Sequence, residues 1–443
     1  MAALIDRPVA AAAQNGETLE VLVLVDSIPA PGAAPLALAS NISEKATRTQ
    51  EVHQRVKRWL YDPMHPPVRA ARGMTALALT AALPPPDPNH EDGVLLGNLG
   101  ALMASVKAAD LAKIAAAKGV RKIIAMPRFM PLIAPMGYGV APPAMLRSGP
   151  TDALVQVRAP ALWDAGLDGA GVRIGHFDTG INKSHPAFAQ LAAGRRLRYA
   201  QFDAAGNRVA RARAKDSHAE FHGSHTAGTL VAQELDGGMR VGLAPAASLV
   251  SVHIFPSNPA PTSRQRDQLV VNALNWIVGE RPDVINLSFG DSRYNDSYLG
   301  IIEELIDQNI VVVAAVGNQG PRTSASPGNY ANVISVGAVT ARNAVCGFSG
   351  SARVRNKDRP DICAPGEKIL SAGGADTMAV CDGTSMAAPH VAGICALLKQ
   401  RAPELSPAQL KDLLLQTAHR PAGWDAKRGG AGIVHAQRAL SGL

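Results

Sequence analysis

Residues 172–178 read VRIGHFD, an apolar, largely buried-type run that ends on an acidic residue. Four further stretches of the same kind follow: SLVSVHIF (248–255), DVINLSFG (283–290), NIVVVAAVGN (309–318) and NVISVGAV (332–339). Helical patterns lie between them, at Asp267–Gly279 and Tyr298–Gln308. Strands that are apolar on both faces and joined by helices predict a parallel sheet flanked by helices on both sides, an α/β fold. In such sheets functional groups gather at the carboxyl ends of the strands. Asp178 and Asn318 fall at such ends.

Upstream the pattern changes. The segment APMGYGVAPPAMLRSGP (134–150) is rich in Pro and Gly and reads as a linker. The chain therefore divides into residues 1–145 and 146–443. In the first part, LEVLVLV (19–25) reads as a buried strand and residues 43–60 have helical potential. The Pro-rich PPPDPNHEDG (84–93) reads as a loop. Ala101–Val106, Ala108–Lys118 and Val120–Met126 read as strand, helix and strand. The sum is a small α+β domain.

The bulk numbers narrow the function classes. With 443 residues the chain suits two or three domain cores, and 47% hydrophobic with 18% charged residues is an ordinary globular composition. The net charge is +8, but Lys and Arg are spread along the chain without a basic block interleaved with aromatics, which speaks against a nucleic-acid partner. No apolar run is long enough to span a bilayer, which speaks against a membrane protein. The first residues, MAALIDRPVAAAAQNG, lack a basic stretch followed by a strong apolar one. The expectation is a cytoplasmic or non-classically exported protein, or a secreted one whose signal has been trimmed. The four cysteines, Cys346, Cys363, Cys381 and Cys395, have no C-x-x-C spacing and read as buried thiols.

Three short motifs carry chemistry. Asp178-Thr179-Gly180 ends the first strand, His222-Gly223-Ser224-His225-Thr226-Ala227-Gly228 opens a helix, and Gly383-Thr384-Ser385-Met386-Ala387-Ala388-Pro389-His390 opens another. Their order is Asp, His, Ser. The Ser–acid–His order of α/β-hydrolases and the His–Asp–Ser order of chymotrypsin-like enzymes do not fit, and no G-x-S-x-G elbow is present. A serine hydroxyl is a weak nucleophile at neutral pH and needs a base to take its proton, which is the pairing these motifs offer. Alone, an Asp at a strand end is a turn former and a Ser at a helix start is an N-cap; the three in this order point beyond that. His225 and His390 read as packed, hydrogen-bonded residues rather than a metal pair, and His185 and His218 as loop residues.

From about Val155 to Leu440 the chain resembles the subtilisin family of serine peptidases. The resemblance rests on VQVRAPALWDAGLDGAGVRIGHFDTGI, HGSHTAGT, GLAPAASLVSVHI, DVINLSFG, VVVAAVGNQG and GTSMAAPHVAGICALL, which agree in order. It implies a serine endopeptidase acting on polypeptide through an acyl-enzyme. Asp178, His222 and Ser385 would form the triad, and Asn318 would be the side-chain oxyanion donor. Ser288, Phe289 and Gly290 would pair with extended substrate, and Ala315, Val316 and Gly317 would form the facing wall. The first region resembles, more weakly, the family's inhibitory propeptide, which implies a zymogen processed by itself between about Met136 and Pro150 and inhibited by its own N-terminal domain. The alternatives are a maturation protease with one substrate and an inactive binding protein.

Three stretches depart from the family pattern. The basic run GRRLRYAQFDAAGNRVARARAKDSHAE (194–220) reads as a solvated surface loop. The segment AQELDGGMRVG (232–242) lacks the Asn-rich calcium-binding form, so no cofactor is expected; Asp236 with backbone carbonyls is the remaining place for a cation. Ser263-Arg264-Gln265-Arg266-Asp267 stands where the family has a Gly-rich substrate-edge strand, and its two arginines suggest a preference for acidic residues upstream of the scissile bond.

Overall fold

A computed structural model of the chain describes residues 4–14, 18–25, 75–76, 94–96, 99–116, 120–126, 136–194, 196–216, 221–255, 263–374 and 376–443. Two compact units result: Met1–Arg128 with Arg266–Gly279 and Asp296–Gln308, and Phe129–Gln265 with Glu280–Asn295 and Asn309–Leu443. This partition differs from a division at residue 145 in two ways. The Gly137–Val140 stretch of the join is a strand, paired antiparallel with Met378–Asp382, so it goes with the second unit. Two helices from the later part of the chain pack with the first unit.

The first unit is α+β. Its sheet sets Thr18–Val25 between Ala101–Lys107 and Val120–Ala125, antiparallel to both, while Leu4–Ile5 runs parallel to Val120–Ala125. One apolar cluster joins Val21, Val23, Leu102, Val106 and Ile123 to Leu111 and Ile114 of the short Leu111–Ala115 helix. That helix is shorter than the expected Ala108–Lys118, because Ala108–Asp110 is a 3₁₀ turn. The sheet also reaches the two later helices. Arg121 pairs with the buried Glu304, Lys122 Nζ lies 2.6 Å from Glu303 Oε2, and Leu99 N–H donates to Asn275 Oδ1 at 3.2 Å. The helical and loop expectations for 43–60 and 84–93 lie outside the described residues.

The second unit is built on a seven-stranded sheet. Its strands are β1 (Arg173–Asp178), β2 (Leu197–Gln201), β3 (Ser248–His253), β4 (Val284–Leu287), β5 (Val311–Ala315), β6 (Ile334–Val339) and β7 (Ile362–Pro365), in the spatial order 2-3-1-4-5-6-7. Every neighbouring pair is parallel. Strands β4, β5, β6 and β7 are buried at every position, as continuous apolar runs require. The edge strand β2 mixes polar and apolar residues instead, and only its Ala200 is buried.

Strand β2 lies inside the run expected to be a surface loop, and so corrects that reading. Its Ala200 is buried, and Arg198 Nε sits 3.0 Å from Glu280 Oε2. An edge strand needs an apolar face on one side only, so its charges looked like loop composition. A second correction concerns Ser263–Asp267. These residues open the Ser263–Gly279 helix, so they are not an edge strand, and the expected acidic preference loses its basis. No helix among the described residues is long and apolar enough to cross a membrane.

Candidate active site

Strand β1 ends on Asp178, which is fully buried. The chain then turns at Gly180, whose φ is +109°. The His222–Val231 helix begins against that turn: a Cβ at position 223 would meet Gly180 O at 2.1 Å. Only glycine permits this approach, which places His222 beside Asp178. His222 Nδ1 lies 2.7 Å from Asp178 Oδ1. Oδ1 also accepts the Thr179 N–H at 2.8 Å, and Thr226 Oγ1 donates to Oδ2 at 3.0 Å. Asp216 ties the two segments together, accepting from Thr179 Oγ1 at 2.7 Å and from Ser224 N–H at 2.6 Å.

Burial alone would raise the Asp178 pKa. The charge of a protonated His222, its hydrogen bond, His176 and the Thr179 N–H outweigh burial and bring the carboxyl down to about 2. An ionised carboxylate only accepts, so neutral His222 carries its proton on Nδ1 and a lone pair on Nε2.

Ser385 is the second residue of the Thr384–Arg401 helix, next to the residue that holds Asn318. Asn318 Oδ1 accepts from Thr384 N–H at 2.9 Å and from Thr384 Oγ1 at 2.8 Å. The backbone N–H is only a donor, which fixes the amide: its oxygen faces Thr384 and its Nδ2H₂ points the other way. Gly317 N–H donates to Thr384 Oγ1 at 3.2 Å, so one threonine orders the end of β5 against the serine turn. Ser288 does the same from the end of β4. Its hydroxyl donates to Ser385 O at 3.3 Å, and Ser385 Oγ lies 3.4 Å from Ser288 O.

The Phe289 ring packs inside, tilted on Phe177 at 6.3 Å and edge-on to Phe255 at 6.4 Å. A side chain so engaged leaves only its backbone for any contact with a ligand. Gly290 and Gly317 converge on Ala325: a Cβ at either would stand 3.1 or 3.2 Å from the Ala325 methyl. Ala315 is buried at the end of β5, and Ala325 N–H donates to Val316 O at 2.7 Å. Ala325 thus packs between two glycines that have no room for a side chain. Ala325, Thr384, Thr226 and Asp216 were not singled out by sequence reasoning. Small and hydroxylic residues carry no chemical signature until a fold brings them together.

His225 and His390 face backbone, not each other: His225 Nε2 lies 2.9 Å from Ile369 O and His390 Nδ1 2.8 Å from Met386 O. Burial pushes their pKa values down to about 3 and about 4. His185 caps a short 3₁₀ turn through Ala187 N–H at 3.0 Å, and His218 lies outside the described residues. Among the described residues no cluster of three or more His, Cys, Asp or Glu side chains is placed to hold a metal. All four cysteines are buried and none is in a disulfide.

The fold and the site define an α/β protein with an ionised Asp–His pair and a serine at a helix start. The Subtilase family model matches residues 169–438, and the chain belongs to the subtilase family. Subtilisin E of Bacillus subtilis (strain 168) is 33% identical over 267 residues, which are 59% of this chain and 64% of that one. Subtilisin BL of Lederbergia lenta is 31% identical over 284 residues, 64% of this chain and 96% of that one. The major intracellular serine protease of Bacillus subtilis (strain 168) is 32% identical over 251 residues, 55% and 73% of the two chains. The chain thus spans just under two thirds of the length of Subtilisin E.

Proposed function

We propose that this chain is a serine endopeptidase, with Asp178, His222 and Ser385 as its triad and Asn318 as an oxyanion donor. The observation that carries the reading is the 2.7 Å contact between His222 Nδ1 and an ionised Asp178. It leaves the Nε2 lone pair as the base. Ser385 Oγ attacks a substrate carbonyl as His222 Nε2 takes its proton, and Asp178 stabilises the imidazolium that forms. The negative charge that develops on the carbonyl oxygen meets the Asn318 amide and the Ser385 backbone N–H at the start of the Thr384–Arg401 helix. The imidazolium then protonates the leaving amine. Water, deprotonated by the same imidazole, releases the acyl group. The chemistry uses side chains and backbone alone.

Substrate is an extended polypeptide held by the backbone of Ser288-Phe289-Gly290, opposite Ala315 and Gly317. The N-terminal region is an inhibitor removed by the enzyme itself. Within the expected window of 136–150, Gly137–Val140 is tied into a sheet, and the exposed Pro142–Ser148 stretch is the part a peptidase can engage.

Fluorophosphonate labelling tests the catalytic reading. The full chain should take one label at Ser385 and hydrolyse a peptide library, and Ser385→Ala should do neither while keeping its fold. An unlabelled wild-type chain would favour a binding protein on the same fold.

A further inference from the structure

Strand β1 places a second histidine on the same face as Asp178, two residues earlier. His176 is fully buried. Its Nδ1 lies 3.0 Å from Ser251 Oγ on β3, and its Nε2 lies 2.9 Å from Thr226 Oγ1 on the His222–Val231 helix. Thr226 Oγ1 is in turn 3.0 Å from Asp178 Oδ2, and His176 Nε2 is 3.6 Å from the same oxygen. We propose that Ser251, His176 and Thr226 form an ordered hydrogen-bond relay that holds the second carboxylate oxygen of Asp178, making His176 and Thr226 positioning residues for the triad. This rests on the peptidase reading above.

The proton inventory gives the relay one direction. Thr226 has a single hydroxyl proton and two acceptors in reach, Asp178 Oδ2 at 3.0 Å and Gly223 O at 3.1 Å. An anionic oxygen is the stronger acceptor. With its proton given to Asp178, Thr226 Oγ1 accepts from His176, which puts the ring proton on Nε2. His176 Nδ1 then accepts from Ser251 Oγ–H. Every proton points toward Asp178, and each bond polarises the next. The groups facing this site are Asp178 on β1, His222 on the helix, Asp216 on the preceding loop and His253 on β3. Burial is the largest influence on His176 and holds it neutral, as the relay requires.

Packing does not account for the arrangement. Polar side chains from β1, β3 and a helix meet in the middle of an apolar sheet, where hydrophobic residues would avoid the cost of burying them. Their convergence on one carboxylate oxygen supplies the reason. His222 and Thr179 occupy Oδ1, so Thr226 is what stops the carboxylate from rotating off the His222 axis.

Two measurements test the relay. In the full-length Ser385→Ala chain labelled with ¹⁵N-histidine, the His176 ring, assigned by its loss in His176→Gln, should be neutral with its proton on Nε2 at pH 7. A proton on Nδ1, or a charged ring, would overturn the proposal whatever the enzyme's activity. In the active chain, Thr226→Val should lower kcat about tenfold with KM unchanged, the scale of a hydrogen bond to a charged group. It should also move the acid limb of kcat/KM to higher pH, because a less neutralised carboxylate holds the His222 proton more tightly. Thr226→Ser should restore both. A folded Thr226→Val with wild-type kcat and an unmoved acid limb would overturn the relay. A wild-type chain that neither hydrolyses peptides nor takes the fluorophosphonate would defeat the peptidase reading instead, with the ring tautomer still deciding the relay.

Discussion

Asn318 shows how a fold can orient a single side chain. An asparagine amide has two ends of similar shape, and Thr384 selects between them by presenting a hydroxyl and a backbone N–H to the oxygen. The NH₂ end is thereby fixed as a donor before any substrate arrives, the preorganisation that oxyanion stabilisation depends on. Asn318→Ala should lower kcat by about 10²–10³, a range that comes from the corresponding donor in subtilisin, with KM little changed. Steady-state kinetics on a peptide substrate checks this, and an effect confined to KM would assign Asn318 to ground-state binding. Asp178, His222, Ser385 and Asn318 were legible because each sits in a motif of unusual composition. His176 was not, since one histidine in an apolar strand is indistinguishable in sequence from a packed residue. Its meaning depends on Ser251 and Thr226, which are far away along the chain.

At the scale of elements, the helices that carry His222 and Ser385 also bury histidines. His225 lies three residues beyond His222 and His390 five beyond Ser385 in their helices, and both hold neutral rings in the core. Their folded pKa values are about 3 and about 4, against 6.5 for an exposed ring. Below pH 6.5 the unfolded chain therefore binds protons that the folded chain refuses, and stability falls with falling pH until about pH 4 for His390 and about pH 3 for His225. At pH 5 each ring costs about 2 kcal/mol relative to neutral pH. Asp178 runs on a lower window: its depressed pKa contributes stability above the ordinary carboxylate value of 3.8, lost as pH falls toward 2. Urea midpoints of Ser385→Ala should drop clearly from pH 7 to pH 5, and a flat profile would contradict neutral burial. The parallel sheet was readable because strands covered on both faces are apolar throughout. The edge strand β2 and the start of the Ser263–Gly279 helix were missed because local charge resembles loop or edge composition until pairing partners are known.

Across the whole molecule, the N-terminal region and two later helices form one compact unit. The Arg121–Glu304 pair within it is buried on the acidic side, and removing one partner of such a pair is costly. A region anchored this way has a high effective concentration toward the rest of its own chain, so even an indifferent cleavage sequence can be processed in cis. Intact-mass measurement on the full chain and on Ser385→Ala gives the answer. The wild type should lose its N-terminal region by a cut within Pro142–Ser148, and the variant should remain at full length. A wild type that hydrolyses peptides while keeping its full mass would make the N-terminal region a permanent domain. The allegiance of the two later helices to the first unit was not legible in composition, because it depends on long-range packing.

The four buried cysteines, none of them in a disulfide, bear on how long such a molecule lasts. A peptidase is surrounded by copies of itself, and any copy that opens becomes food for the others. With no covalent crossbar in the chain, survival depends on how seldom the packed sheet and its helices come apart. Lifetime is then a matter of kinetics, set by the height of the unfolding barrier more than by the depth of the native well. Reducing surroundings have no disulfide to remove from that barrier.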